Sequence, residues 1–273
     1  MIIAIAQFVA SSCYVGAAAL AAAPMFRPVT APVRAVTGVL AAGVVAHAAA
    51  LVLVAFDAGR APMTGLGPAL SFGALLLATT LLVTELSARD TSLSLIAAPL
   101  AAAATLAGAA IGMTPLSSES GLRGAWLYSH IALSFIGLAA FGTAAAAGAI
   151  YLVERRELRS RRFGALFRLF PPLETLDRVN HVASVAGWLA LSLGIALAIG
   201  YSLTYRVGDA SEAVWGTAAW LSVTALTIGR LLGWWRAHRA ATAASAAFVM
   251  VVVLYVALRA FAPGAGASSG AFL

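Results

Sequence analysis

The chain has 273 residues, of which 62% are hydrophobic and only 10% charged. Soluble domains run at about 45–50% apolar and about 25% charged, so this composition excludes one and points to a chain made almost wholly of membrane helix. The net charge of +7 comes from 17 arginines against 10 acids, with no lysine. Those arginines stand in short segments between apolar runs, so nucleic acid is not an expected partner. The single cysteine, Cys13, excludes an internal disulfide, a CxxC redox pair and a cysteine cluster.

Apolar runs broken by charge, Pro or Gly predict an all-α, polytopic bundle of about eight spans forming one membrane domain over residues 1–273. The spans fall at roughly 2–22, 33–56, 66–86, 93–113, 124–153, 179–203, 213–233 and 241–261. The first lacks a basic leading region and is long enough to cross, so it reads as a span rather than a signal peptide. Ala10-Ser11-Ser12-Cys13 lacks the same charge and does not read as a lipoprotein signal.

The second span carries His47 beside a ridge of small residues, Gly38, Ala42, Ala46 and Ala50. Asp57 caps its far end. Glu85, near the end of the third span, is expected to reach the interface, which leaves no buried carboxylate pair for a proton relay. The fifth span carries His130, with Ser134 and Gly137 four and seven residues on. Small residues of this kind permit either close helix packing or room for a flat macrocycle.

Residues 154–178 form the long polar segment. Its first part continues the fifth helix, and Phe163, Leu166, Phe167 and Phe170 then recur at helical spacing against arginine, as in a short helix lying among lipid headgroups. Pro171 and Pro172 stop it. His181 follows near the start of the sixth span, and His238 lies in a basic connection before the eighth. The Gly- and Ser-rich tail from Pro263 reads as a disordered end.

Arginine placement sets the expected orientation. Thirteen of the 17 (27, 34, 89, 155, 156, 159, 161, 162, 168, 178, 230, 236 and 239) fall in or beside the connections after spans 1, 3, 5 and 7. By the positive-inside rule that side is cytoplasmic and both termini face outward. Trp126, Tyr128, Tyr201, Tyr205 and Trp215 then mark the outer interface, and Trp234 and Trp235 the inner one.

His47, His130 and His181 lie within predicted spans, and a charged imidazole in hydrocarbon costs at least about 2.5 kcal/mol on insertion scales. Each must therefore be neutral, paired or ligated, and a neutral imidazole suits haem iron. His47 lies nine residues before Phe56, roughly 13 Å below the outer end, and His130 lies six after Gly124, roughly 9 Å down. Two imidazoles at similar depth on separate spans are candidate axial ligands of one haem iron, and a structural hydrogen-bonding role is the alternative. For His181 a hydrogen bond at headgroup level competes with inner-side ligation. There is no Ser/His/Asp arrangement, HExxH or phosphate loop, so hydrolysis has no machinery here.

Five short stretches, in order, resemble the cytochrome c assembly family of membrane proteins, with its CcsA-, HemX- and YpjD-like members. They are Ser129-His130-Ile131-Ala132-Leu133-Ser134, Tyr151-Leu152-Val153-Glu154-Arg155-Arg156, Pro171-Pro172-Leu173-Glu174-Thr175-Leu176-Asp177-Arg178, Leu191-Ser192-Leu193-Gly194-Ile195 and Gly233-Trp234-Trp235-Arg236-Ala237-His238-Arg239. Val45-Ala46-His47-Ala48 resembles the histidine helix of the YpjD-like branch. The resemblance implies a protein of a bacterial inner membrane that binds haem, b-type and transiently held, without enzymatic chemistry of its own. It implies an outer-side histidine at His130; together with the placement of histidines within spans, the expected haem contacts are His47, His130 and His181, with His47 and His130 as iron ligands. The tryptophan-rich WGxxWxWDPKE segment of the family is degenerate: Leu203, Arg206 and Gly208 take its tryptophan positions, and Asp209-Ala210-Ser211-Glu212 takes the place of DPKE. The implied partners, besides membrane lipids, are a cytochrome c assembly component or, as in HemX-like members, a haem-synthesis enzyme docked on the basic 154–178 loop. A membrane transporter and a bis-histidine electron carrier are the competing classes.

Overall fold

A computed structural model describes residues 2–26, 33–116, 119–161, 170–208 and 210–261. Among them the regular structure is entirely helical: α1 (Ile2–Phe26), α2 (Val33–Ala58), α3 (Leu66–Ala88), α4 (Ser94–Ile111), α5 (Gly121–Ser160), α6 (Leu173–Tyr205), α7 (Ala210–Leu231) and α8 (Ala237–Phe261). All but α7 contain a stretch long and apolar enough to cross a membrane. Helix is the only open structure that satisfies every backbone group inside hydrocarbon, so apolar runs of this length have no other choice. Ile5, Phe8, Val45, Val52, Leu189, Leu193 and Val253 stand exposed around the outside, as lipid-facing side chains do.

Helices occur at all eight expected positions, and seven of them are long and apolar enough to cross a membrane. Their ends differ where polar residues continue a helix: α5 extends to Ser160, and α6 begins at Leu173, directly after Pro172, rather than near 179. Phe163, Leu166 and Phe167 of the expected interfacial helix, and the tail from Pro263, lie outside the described residues. The expected span α7 is the exception in apolarity because it turns polar groups onto α6. Trp220 Nε1 donates to Ser192 Oγ at 2.9 Å, and Arg230 Nη1 meets Asp177 Oδ1 at 2.7 Å.

Two four-helix groups make up the bundle. In the first, α1 packs on α2 and α4, and α3 on α2 and α4; in the second, α5 packs on α6 and α8, and α7 on the same two. Contact between α3 and α5 joins them. The central member is α5, buried over 72% of its apolar stretch against at most 39% for the other spans.

The chain reverses with each helix, which leaves two ends. At the end holding the α2–α3 and α4–α5 connections, Leu116 N–H reaches the Thr64 carbonyl at 3.4 Å, and Gly67 lies so close to Gly112 that a Cβ there would strike its carbonyl. The arginine-rich connections occupy the other end. Glu85 departs from expectation there. It is 0% exposed rather than at the interface, because its Oε1 accepts the Ser94 N–H at 2.8 Å and so caps α4. Glu154 is buried as well, so two carboxylates are buried among the described residues, and no hydrogen bond links them into a pair.

Candidate functional site

His47 and His130 sit in opposite groups of helices and in opposite chemical situations. His47 is 0% exposed. The Tyr14 hydroxyl lies 3.1 Å from its Nδ1, and Ser71 Oγ lies 2.8 Å from its Nε2. Gln7 Nε2 donates to the same Ser71 oxygen at 3.3 Å. One polar chain thus runs from α1 through α2 to α3, and whichever tautomer is present, both ring nitrogens are engaged. Such closure offsets the burial of polar groups in a region with no water to satisfy them.

The ridge beside His47 faces elsewhere. Gly38 and Ala42 are exposed and Ala46 is half-buried. The buried face of α2 is Val36, Leu40, Gly43, His47, Ala50, Leu51 and Val54. Within it Gly43 serves the site: a Cβ there would come 2.8 Å from the Tyr14 ring, so only glycine admits the ring that bonds His47.

His130 is half-buried between α5 and α6. Its Nδ1 lies 2.8 Å from the Gly194 carbonyl, with Ser134 Oγ at 3.4 Å. A carbonyl can only accept, so Nδ1 carries the proton and Nε2 keeps its lone pair. No hydrogen bond occupies that Nε2. A second-atom hydrogen bond that sets the tautomer and leaves the other nitrogen free is how proteins prepare an imidazole for a metal.

The small residues near His130 serve packing. A Cβ on Gly137 would meet Leu191 N at 2.8 Å and the Gly187 carbonyl at 3.0 Å, and one on Gly194 would meet Ser134 Oγ at 2.8 Å. Glycine on both helices lets α5 and α6 approach closely enough for His130 to reach the α6 backbone. Of the two uses open to these residues, close packing is the one realised.

Nearer the start of α5, aromatic rings gather. Trp126 Nε1 donates to the Leu197 carbonyl at 3.0 Å, and its ring meets Tyr201 and Tyr205 edge-on at 6.2 and 6.1 Å. Arg123 donates to Tyr201 Oη at 3.0 Å, lies 4.9 Å from the Tyr205 ring centre and pairs with Glu119 at 3.0 Å. The aromatic residues were expected at an interface; Arg123 was not singled out, since a lone arginine at a span end carries no signal beyond orientation. Trp215 stacks on Tyr255 at 5.2 Å in the neighbouring α7–α8 pair.

The structure does not bring His47 and His130 together. α3 stands between them: its Ser71 meets His47, while Phe72 and Gly73 meet Phe135 of α5. His181 is at the other end of α6, thirteen residues or roughly 20 Å from Gly194, with Nδ1 buried and without a hydrogen-bond partner. Nearby Asn180 donates to the Ala144 carbonyl at 2.7 Å and accepts from Arg230 at 3.2 Å, a buried polar contact that no sequence motif announced. No cluster of three or more potential metal-binding side chains occurs among the described residues.

The chain is a multi-pass helical membrane protein that buries His47 within one group of helices and half-buries His130 in the other. The family model described as cytochrome c assembly protein matches residues 36–264, and the chain belongs to that family. No curated protein sequence matches it significantly. Membership makes this a membrane protein of cytochrome c maturation and haem handling.

Proposed function

We propose that the protein binds haem through His130 at the end of the bundle away from the arginines, and passes it to, or reports it to, a partner in cytochrome c maturation. One observation carries this reading: the Gly194 carbonyl holds Nδ1–H of His130, which leaves Nε2 as a free neutral ligand. The chain's own groups fit the cargo around that nitrogen. Trp126, Tyr201 and Tyr205 supply aromatic surface, and Arg123 supplies a cation for a carboxylate at the rim. With Cys13 as the sole cysteine, two thioether attachments are impossible and the haem is held as b-type. Haem itself would bring the iron chemistry; the protein would supply a ligand and aromatic surface, without catalysis of its own.

His47 and His181 enter this proposal differently. Ligation by His47 requires its bond to Ser71 or Tyr14 to open, and sharing one haem with His130 further requires α3 to move. His181, with its unpartnered Nδ1, is a haem contact for the arginine-rich end and not a second ligand for the His130 iron. The membrane is taken to be a bacterial inner membrane with the arginine-rich end in the cytoplasm, following the charge asymmetry.

Purified protein from haem-replete cells is expected to show a Soret band that His130→Ala abolishes. A preparation that stays colourless and takes up no added haem, or a band unchanged in His130→Ala, overturns the assignment. Regulation of a haem-synthesis enzyme through residues 154–178 is the second reading; it predicts copurification of that enzyme, lost when the loop arginines are neutralised. Transport draws less support, because the described spans run unbroken through Pro24 and Pro99 and contain no discontinuous pair.

A further inference from the structure

A basic cleft lies at the arginine-rich end, remote from His130. Leu152, Arg155, Arg156, Arg159 and Ser160 of α5 line an open concavity of about 420 Å³. Alongside, α8 runs antiparallel to α5. Ser245 Oγ donates to the Ala145 carbonyl at 3.0 Å, and Gly148 abuts Ala241. That register carries the first turn of α8, with Arg236, His238 and Arg239, up to the turns of α5 that hold Arg155 and Arg159.

Among the described residues no ion pair joins this group to a carboxylate. Ion pairs among the described residues are Arg123–Glu119 and Arg230–Asp177, and neither involves the cleft. Glu154 and Glu157 share the α5 turns but do not line the concavity; Glu154 is 5% exposed, and one oxygen of each is buried. Five guanidinium groups brought together repel one another unless an anion joins them, and guanidinium forks match the oxygens of a phosphate. The surroundings identify the source of that phosphate. Leu152 forms an apolar side of the cleft, and Val153, Leu231, Leu232 and Trp234 stand exposed around this end of the bundle. An amphiphile at the bilayer surface suits both features; a free anion uses only one.

We propose that this cleft binds the headgroup of an anionic phospholipid, with its phosphodiester on Arg155 and Arg159 of α5 and Arg239 of α8 and its acyl chains descending past Leu152. The site stands independently of the haem reading. The lipid locks α5 to α8 at the end where no side-chain ion pair does so.

To test it, delipidated full-length protein in neutral detergent is titrated with phosphatidylglycerol, phosphatidylcholine or inorganic phosphate, and bound lipid is counted by native mass spectrometry. Phosphatidylglycerol is expected to bind selectively and to resist millimolar inorganic phosphate. The triple variant Arg155→Gln/Arg159→Gln/Arg239→Gln is expected to weaken it roughly a hundredfold, and lysine at the three positions to restore part of the loss. Arg60→Gln, at the opposite end, is expected to bind as the unaltered chain does. Because the three side chains are not buried, a normal unfolding temperature for the variant separates lost binding from lost folding. Equal binding of the two lipids, undiminished binding by a folded triple variant, or displacement by inorganic phosphate overturns the proposal.

Discussion

His47 in one half of the bundle and His130 in the other are held in opposite ways. In α1–α4, Tyr14 and Ser71 occupy both nitrogens of His47, and the ring is sealed from every side. In α5–α8, a single backbone carbonyl takes one nitrogen of His130 and the other stays open. The difference lies in partner type. Side-chain hydroxyls come from helices that pack around the ring, whereas a carbonyl projects from one neighbouring helix and leaves the far side of the imidazole unguarded. A buried histidine is thus not by itself a ligand; its second nitrogen decides.

The sharpest break in that comparison is expected from His130→Ala, which should remove the Soret band with little change in unfolding temperature, since it frees one exchangeable backbone carbonyl. His47→Ala should do the reverse. It strands the Tyr14 hydroxyl and leaves a cavity, at about 2–5 kcal/mol in thermal unfolding, while the haem band persists. A variant pair that behaves alike would erase the distinction between the halves.

Gly137→Val probes the α5–α6 seam on which the geometry of His130 depends. The added carbons meet backbone atoms of Gly187 and Leu191, which cannot turn aside, so a loss of about 1–3 kcal/mol is expected together with weakened haem binding. Gly38→Val, at a position with nothing within 4 Å, should be nearly silent in both assays. Tyr14→Phe is gentler. It removes one hydrogen-bond partner from His47 at a cost of about 1 kcal/mol and should leave the absorption spectrum untouched. The smallest effect is expected from Arg123→Gln, a partly exposed cation on Tyr205: almost no change in unfolding temperature, but a lower haem affinity if the arginine meets a carboxylate. Haem titration of the two proteins in parallel checks the second half of that statement.

Several features of the candidate site were visible before any coordinates. His47, His130 and His181 stood out because an ionisable ring within an apolar run is costly and must be compensated. What compensates each one was not visible. Tyr14 is 33 residues from His47 and Ser71 is 24, and no motif marks either residue. Gly194 is one of 25 glycines, and its carbonyl carries no sequence signature at all. Glu85 looked interfacial by its position near a helix end, and it is buried because the α4 N-terminus needed an acceptor. Similar depth in the membrane does not bring His47 and His130 together, because α3 packs between their helices.

Length, hydropathy and arginine spacing were enough to specify eight helices and their approximate limits. Each helix satisfies its own backbone and meets lipid on its own terms, a local condition that a window of about twenty residues contains. Which helix faces which, and therefore which histidine is closed and which left with a free nitrogen, arose from side-chain packing between segments far apart in the chain. Lipid tails are as apolar as the residues they touch, so hydrophobicity does not choose among those pairings. Close glycine contacts and a few buried hydrogen bonds do, and these exist once the helices have met.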